Sequence, residues 1–405
     1  MSLFTRLSSN YFFYFAILGL VSPYLSVFLD AKGFTSTELG EIFAIITATK
    51  IVAPSLWAVL ADKTGQQLLI IRLGALFALI SFILLFWLSS YWPISFALAL
   101  FSLFWTAVLP QLEVLTLNSV RRSSKIYARI RLWGSIGFIV LALIAGQVME
   151  YFPIESFTFS FTLMGSLILL LLLLSTLTIK PQHSFNKNKQ APIAIRAKLF
   201  ESRFVVFFIA GILLQISFGP YYGFFALFLR DLSYSGFAIG LLISLGVVAE
   251  IMVFIYAGTF FKTFTLKQLL VFSLAITALR WYLVALFADS VWVLLLTQVI
   301  HAASFGLYHS ASMLFISEHF SACQQSRGQA IYLGGVYGLG GAVGAYLAGI
   351  LWLDGQGAKT TFIVASCAAL LATFLMLFFK EKAFFEKPWQ KKAQSKIGQK
   401  STINN

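Results

Sequence analysis

Twelve separate runs of about twenty largely apolar residues restrict the fold of this chain more than any other feature. A run of that length and composition is what an α-helix needs to cross the hydrocarbon core of a bilayer. Charged residues make up only 11% of the sequence, against roughly 25% in a soluble domain. We therefore predict an all-α membrane protein. The predicted spans are residues 10–29, 40–60, 68–89, 94–117, 129–149, 157–179, 204–229, 237–258, 267–287, 291–316, 328–352 and 360–380.

Most of the 29 Lys and Arg residues fall on one side of the predicted membrane. Arg121 and Arg122 lie in one loop on that side, whereas the loops on the opposite side hold only Lys32, Arg230 and Lys359. Cytoplasmic loops carry such an excess of basic residues. We expect a multi-pass protein of the bacterial inner (plasma) membrane with both termini in the cytoplasm. The net charge of +14 then reflects topology and contact with anionic lipid, and not nucleic-acid binding.

A polar stretch divides the spans into two groups of six. Residues 181–203 contain two prolines and several lysines, and they indicate a cytoplasmic linker between an N-terminal half, 1–180, and a C-terminal half, 204–381. A basic tail, 382–405, follows. The two halves also share local sequence, because Phe28 and Gly40 recur 200 residues later as Phe228 and Gly240. Repeated halves with a site at their interface are typical of secondary transporters.

Ionisable residues within the predicted spans are few, and each is a candidate for function. A charge at membrane depth is costly and usually faces a cavity or a partner, while a purely structural ion pair gains little over apolar packing. With the histidines neutral, the cations exceed the anions by one, which favours a cavity for an anionic substrate. The residues are Lys50, Glu113, Arg131, Glu250, Arg280, His301 and His309.

Two further patterns concern the packing of the spans. Span ten carries polar residues at helical spacing, which predicts a polar face directed into the bundle; such groups also commonly hold helices together. They are His301, Ser304, Tyr308 and Ser312. Glycines concentrate in spans five and eleven, the equivalent spans of the two halves, and indicate close packing there.

The turn after span two carries a sequence motif. Residues 58–65 resemble the conserved loop motif of the major facilitator superfamily, although Gln66 and Gln67 stand where that superfamily has basic residues. The resemblance implies twelve transmembrane helices in two pseudo-symmetric six-helix bundles, with a gating role for Asp62 and Gly65. A tight turn needs Asp and Gly in any case, so a purely structural role is the alternative.

Within the superfamily, the intramembrane charges resemble those of the lactose permease. Glu113 and Arg131 match its span-four acid and span-five arginine, which implies that they bind substrate. Glu250, Arg280 and His301 match its residues in spans eight, nine and ten, which implies a role in proton coupling.

Two departures separate this chain from that pattern. Ser304 stands where the permease has its proton-carrying acid, and Phe138 stands where it has a tryptophan that stacks on the substrate. They argue against lactose as the substrate and leave the proton carrier open.

A closer resemblance is to the phenylpropionate permease family. Its motifs are similar to segments 131–135, 221–224, 244–250 and 279–281, and to His301 with His309. The resemblance implies an aromatic carboxylate as substrate, in agreement with the excess of intramembrane cations.

The leading hypothesis is a monomeric proton-coupled symporter of a small organic anion, working by alternating access without a cofactor or metal. The substrate-binding candidates are Glu113, Arg131, Lys50, Phe138, Tyr221 and Tyr222. The proton-coupling candidates are Glu250, Arg280, His301 and His309. A proton-coupled sugar or nucleoside symporter is the main alternative. An intramembrane enzyme of the acyltransferase type, built around His301 or His309, and a non-transporting scaffold are more remote alternatives.

Overall fold

The computed structural model describes residues 2–120, 123–179, 195–321 and 323–380. Most of the predicted linker, 181–203, and all of the predicted tail, 382–405, lie outside the described residues. Within them, twelve helices are long and apolar enough to cross a membrane. This confirms the predicted fold class.

Each predicted span overlaps one of these helices. The first six are α1 (Leu3–Ala31), α2 (Ser36–Thr64), α3 (Gln67–Ile83), α4 (Tyr91–Ser119), α5 (Ser124–Tyr151) and α6 (Ile154–Leu177). The last six are α7 (Ser202–Asp231), α8 (Gly236–Thr263), α9 (Leu266–Phe287), α10 (Val291–His319), α11 (Gln325–Gly355) and α12 (Ala358–Leu377). Helix α7 breaks at Phe218, and α10 and α11 contain the π-helical stretches Ala302–Leu307 and Leu333–Gly340.

The largest difference from the predicted boundaries is at the start of α1, which begins at Leu3 and not near residue 10. The Ser2 hydroxyl caps the helix by accepting a hydrogen bond from the Thr5 amide. Asn10 is fully buried and donates to the carbonyl of Ser175 in α6. Polar residues that weakened the apolar signal are therefore buried within the bundle, where the Ser8 hydroxyl and the Asn10 Oδ1 have no hydrogen-bond partner among the described residues.

Side-chain caps and one glycine set the ends of several helices. Thr35 and Glu38 form a reciprocal capping box at the start of α2, and Thr265 and Gln268 form the same box at the start of α9. Helix α2 ends at Gly65, whose φ of 66° is left-handed. A glycine is favoured there because a side chain is strained in that conformation.

The two halves repeat the same helix contacts. Gly19 of α1 lies against the backbone carbonyl of Phe138 in α5, and Gly219 of α7 lies in the same way against Gly344 in α11. The neighbouring contact of Phe12 with Gly137 recurs between Ile212 and Gly340. The offset in α1 and α7 is 200 residues in both cases, so the two bundles share one plan.

The halves meet closely at one end of the molecule, which carries the turns 32–35, 232–235 and 353–357 and which we call the closed end. Helix α2 crosses α11 where Gly40 meets Gly349, and α5 meets α8 where Gly146 contacts Gly236. Small residues let the helix backbones touch.

Polar contacts also join the halves at the closed end. The Arg230 guanidinium donates to Asp30 at 2.6 Å, and Asp354 accepts hydrogen bonds from the amide and hydroxyl of Ser36. The closed end is therefore held by an ion pair as well as by close helix packing.

The halves separate toward the other end, which carries the turns 65–66 and 264–265 and which we call the open end. Along the face of α8 that meets α5, Gly236 and Gly240 are buried, whereas Phe254 is 45% exposed. Gly258 on the same face has no atom near the position of a side chain. A central cavity therefore opens between the halves at this end.

Candidate functional site

Lys50 and Glu250 occupy equivalent positions in the two halves, on α2 and α8 respectively. The exposed outer stripe of α2 runs through Ala48, Val52 and Val59. At 3.6 residues per turn, Lys50 lies roughly opposite this stripe. Its exposed side chain therefore faces the cavity, and it makes no hydrogen bond or ion pair with the described residues.

Glu113 and Arg131 lie close together across α4 and α5. The Arg131 Nε is 3.9 Å from Glu113 Oε1, and both side chains are about one-third exposed. The Tyr127 hydroxyl donates to the same carboxylate oxygen at 3.3 Å. Because 3.9 Å is longer than a charge-assisted hydrogen bond, the guanidinium keeps donors available for another anion.

Two residues without charge position Arg131. Its guanidinium carbon lies 4.0 Å from the ring centroid of Phe15 in α1, a cation–π distance. Gly134, one turn further along α5, leaves the space that the Phe15 ring occupies. The sequence patterns did not identify Phe15, since one phenylalanine among 43 carries no signal of its own.

Glu250 faces the first half across the α5–α8 contact. The antiparallel pairing of Gly146 with Gly236 and of Ala142 with Gly240 brings Arg131 opposite the turn of α8 that contains Glu250. An attractive electrostatic interaction joins the two. Lys50, Glu113, Arg131 and Glu250 together form what we call the charged quartet, with members from both halves.

Arg280 is fully buried in the second half. Its Nε donates to the Thr297 carbonyl at 2.9 Å, and its Nη1 donates to Nδ1 of His301 at 3.0 Å. The guanidinium also lies between the rings of Tyr221 and Trp281, at 4.2 and 4.3 Å. Its Nη2 has no hydrogen-bond partner among the described residues. Arg280 and Glu250 form no ion pair within the described part of the chain.

Tyr221 and Tyr222 lie on α7 just after its break. The Tyr221 hydroxyl donates to Gln298 Oε1 at 2.9 Å, and its ring packs against His301. Tyr222 is 38% exposed and lies within electrostatic range of both Glu250 and Tyr337. Since α8 and α11 flank it, its exposed part faces the cavity.

His309 pairs with a residue that the sequence patterns did not identify. Its Nδ1 is 3.0 Å from the hydroxyl of Tyr337 in α11. Phe305 stacks between His301 and His309 and packs edge-on against Tyr337. We call Tyr222, Phe305, His309 and Tyr337 the aromatic wall of the cavity.

The remaining predicted residues lie elsewhere. Phe138 is half-buried where α5 crosses α1. The side chain of Asp62 lies outside the described residues, and Gly65 ends α2 in a left-handed turn. In the polar stripe of α10, Ser304, Tyr308 and Ser312 are fully buried in the second half and do not face the cavity.

The chain is similar to known transporters. Residues 4–364 match the model of the MFS_1 like family. A "Probable 3-phenylpropionic acid transporter" of Escherichia coli (strain K12) is 27% identical over 372 residues, covering 91% of this chain and 96% of that protein. A "Maltose permease" of Geobacillus stearothermophilus is 26% identical, covering 83% and 86%.

Solved structures share the fold. The crystal structure of nucleoside transporter NupG superposes with a TM-score of 0.80 at 18% identity, covering 94% of this chain and all of that one. The D-xylose-proton symporter gives a TM-score of 0.72 at 14% identity, covering 94% and 97%. At these identities the likeness concerns the fold alone.

Proposed function

Since the chain belongs to the MFS_1 like family and is a multi-pass secondary transporter, we propose that it carries a small organic anion across the membrane together with a proton. The substrate is an aromatic carboxylate similar to 3-phenylpropionate. Transport proceeds by alternating access of the central cavity, in a monomer and without a cofactor or metal.

The observation that carries this proposal is the contrast between the two walls of the cavity. The first half presents Lys50 without a partner among the described residues, and Arg131, which is only loosely paired with Glu113 at 3.9 Å. A guanidinium with free donors binds a carboxylate as a two-pronged fork. The second half presents the aromatic wall, which suits the ring of such a substrate.

The proton is handled by the second half. Glu250 is the one carboxylate of the charged quartet on that side, and its electrostatic attraction to Arg131 links it to the site of the anion. Arg280 and His301 form a buried pair behind Tyr221, which lies within electrostatic range of Glu250. A substrate anion bound at Arg131 weakens the electrostatic attraction between Arg131 and Glu250. Glu250 then takes up a proton.

The side of the membrane follows from the basic loops. Lys63 lies near the turn 65–66 at the open end, and Lys262 and Lys267 flank the turn 264–265 there. Basic loops stay in the cytoplasm. We assign the open end to the cytoplasm of a bacterial inner membrane, so that both termini are cytoplasmic and the conformation faces inward.

The test is uptake of radiolabelled 3-phenylpropionate into proteoliposomes under an imposed proton gradient. We expect wild-type protein to accumulate the acid, and Glu250→Gln to lose gradient-driven accumulation while still exchanging labelled for unlabelled acid. Arg131→Lys keeps the charge but loses the fork, so it should weaken binding by about tenfold. Full accumulation by Glu250→Gln would show that Glu250 is not the proton carrier.

A sugar or nucleoside is the second candidate substrate. The Glu113 carboxylate keeps acceptor sites beside the hydrogen bond from the Tyr127 hydroxyl, and the neighbouring Arg131 supplies donors, the two kinds of group that a hydroxylated substrate requires. The curated relatives include a maltose permease and a "Putative nucleoside transporter" of Escherichia coli. Uptake that is blocked by maltose or uridine, and not by 3-phenylpropionate, would favour this candidate.

A further inference from the structure

Tyr127 and Arg131 lie one turn apart on α5 and reach the same oxygen of Glu113 in α4. The Tyr127 hydroxyl is 3.3 Å from Glu113 Oε1, and the Arg131 Nε is 3.9 Å from it. Within the described part of the chain, the phenol is the one donor at hydrogen-bonding distance from this carboxylate. Glu113 is therefore held by the neutral partner, although a cation stands beside it.

The wide spacing of Glu113 and Arg131 requires a physical cause. Arginine–carboxylate pairs normally close to about 2.7–2.9 Å, often with two parallel hydrogen bonds, and their attraction is stronger beside a protein interior than in water. Both side chains are about one-third exposed, so the cavity leaves room for them to move. Since they nevertheless stand 3.9 Å apart, other contacts hold each partner in place.

Aromatic rings of α1 hold the cation. The Arg131 guanidinium carbon lies 4.0 Å from the ring centroid of Phe15 and 5.8 Å from that of Tyr11, both within cation–π range. The carboxylate is held from α5, by the Tyr127 hydroxyl. Two rings and one hydroxyl thus keep two opposite charges apart at the surface of the cavity.

This spacing decides what Arg131 can bind. In a closed pair, Glu113 would occupy donors of the guanidinium, and an incoming carboxylate would have to displace it. Glu113 itself repels such a ligand, since an ionised carboxyl group carries acceptors and no donor. Toward an organic anion Glu113 is therefore a competitor for Arg131, and the contact that restrains Glu113 determines how strongly it competes.

We propose that Tyr127 is a positioning residue for the substrate anion: its hydroxyl holds Glu113 away from Arg131 and leaves the guanidinium fork free for the substrate carboxylate. Glu113 acts as a counter-ion of Arg131, in place of the role in substrate binding that the sequence predicted. The proposal rests on the proposed function, because it takes an organic anion as the transported molecule.

The test is a double-mutant cycle on Tyr127 and Glu113. The readout is the affinity of the purified full-length protein for 3-phenylpropionate in calorimetric titrations. Tyr127→Phe keeps the ring and removes the hydroxyl, so Glu113 closes on Arg131 and the affinity should fall about tenfold. Glu113→Gln removes the competing charge and should raise the affinity a few-fold.

The decisive variant combines both changes. Once residue 113 carries no charge, nothing on α4 closes on Arg131 when the hydroxyl is removed. The double variant should therefore bind 3-phenylpropionate as tightly as Glu113→Gln alone. A tyrosine that merely supports the packing of α5 would lower the affinity by the same factor in both backgrounds.

Tyr308→Phe is the matched control. Tyr308 is 1% exposed and its hydroxyl lies near Gly211 of α7, in the opposite half from Arg131. Removal of this hydroxyl should leave the affinity at its wild-type value. Should Tyr127→Phe not fold, the single variant Glu113→Gln still decides, because a glutamate that binds the substrate would lose affinity on this change and a competitor would not.

The outcomes separate this inference from the proposed function. If wild type binds 3-phenylpropionate but Tyr127→Phe has no effect, or an equal effect in both backgrounds, or if Glu113→Gln binds more weakly, the role of Tyr127 is wrong while the aromatic acid remains the substrate. If wild type binds maltose or uridine and not the acid, the proposed substrate class fails and this inference with it. A loss in Tyr127→Phe that disappears in the double variant supports the inference.

Discussion

The position of Arg131, the proposed anion-binding residue, depends on neighbours that have no charge. Its guanidinium rests on the Phe15 ring, and that ring occupies the space left by the missing side chain of Gly134. The position of the cation is thus set by packing between α1 and α5. A carboxylate fork requires the guanidinium plane in one orientation, so the packing is part of the proposed binding site.

We predict that Gly134→Ala weakens substrate binding by about tenfold or more, the loss expected when a charge-assisted fork is misaligned. The new methyl group would stand 2.6 Å from the Phe15 ring and 3.1 Å from Arg131 Nη1, so both must move. Calorimetric titration of the purified variant measures the affinity.

The control for this change is Gly258→Ala in α8. Gly258 has no atom within 4 Å of the added methyl group, and alanine favours helix over glycine by about 1 kcal/mol. The control should bind normally with equal or higher thermal stability. Normal affinity in Gly134→Ala would show that Phe15 and Gly134 do not position Arg131.

The charged members of the proposed site could be found from sequence, whereas most of its aromatic members could not. Lys50, Glu113, Arg131 and Glu250 stand out because an ionisable residue in an apolar run is costly and rare. Phe305 and Tyr337 do not stand out, because aromatic residues make up 17% of the chain and serve equally in lipid-facing and core positions. Only the packing of α10 against α11 distinguishes Phe305 and Tyr337 from the other aromatic residues of the chain.

At the scale of the helices, glycine contacts decide how closely the halves approach at the closed end. We predict that Gly40→Val shifts the protein toward conformations in which this end is parted. A Cβ atom at Gly40 would stand 2.6 Å from the Gly349 Cα, and overpacking of this kind costs about 1–3 kcal/mol. The corresponding change in the conformational equilibrium is about tenfold.

Spin labels at Thr37 and Lys359, with the two cysteines Cys323 and Cys367 replaced, would report the distance between the halves at the closed end. The distribution should move to longer distances in Gly40→Val and stay unchanged in Gly258→Val. An unchanged distribution in a folded Gly40→Val protein would contradict the prediction.

The helices themselves were predictable because length and hydropathy determine a transmembrane span. Their irregular segments were not. The spacing of Ser304, Tyr308 and Ser312 was interpreted with 3.6 residues per turn, but α10 has a π-helical stretch at Ala302–Leu307 with a wider turn. A π-helical stretch does not alter the amino-acid composition. The burial of these hydroxyl groups within the second half could therefore be seen only in the structure.

At the scale of the whole molecule, an ion pair between the halves stabilises the closed end. We predict that Asp30→Asn favours opening of this end by a few-fold. Arg230 contacts Asp30 at 2.6 Å and also pairs with Asp231, and a half-exposed ion pair contributes about 1 kcal/mol or less. The effect should therefore be smaller than that of Gly40→Val, and it should diminish at high salt.

The same pair of spin labels measures this shift. The double change Asp30→Arg with Arg230→Asp restores opposite charges across the interface and should return the distribution toward that of wild type. If the double variant opens as far as Asp30→Asn alone, the contact between the two side chains does not hold the closed end.

Lys50 and Glu250 have a consequence for the orientation of any ligand. A cavity built by strict repetition of one bundle would offer an asymmetric molecule two poses of equal energy, related by the pseudo-twofold axis. Opposite charges at the repeated position remove that degeneracy, since an anionic end turned toward Glu250 is repelled and one turned toward Lys50 is attracted. A single pose means that each turnover presents the same end of the cargo to the same bundle, so a duplicated scaffold handles a molecule that has no symmetry of its own.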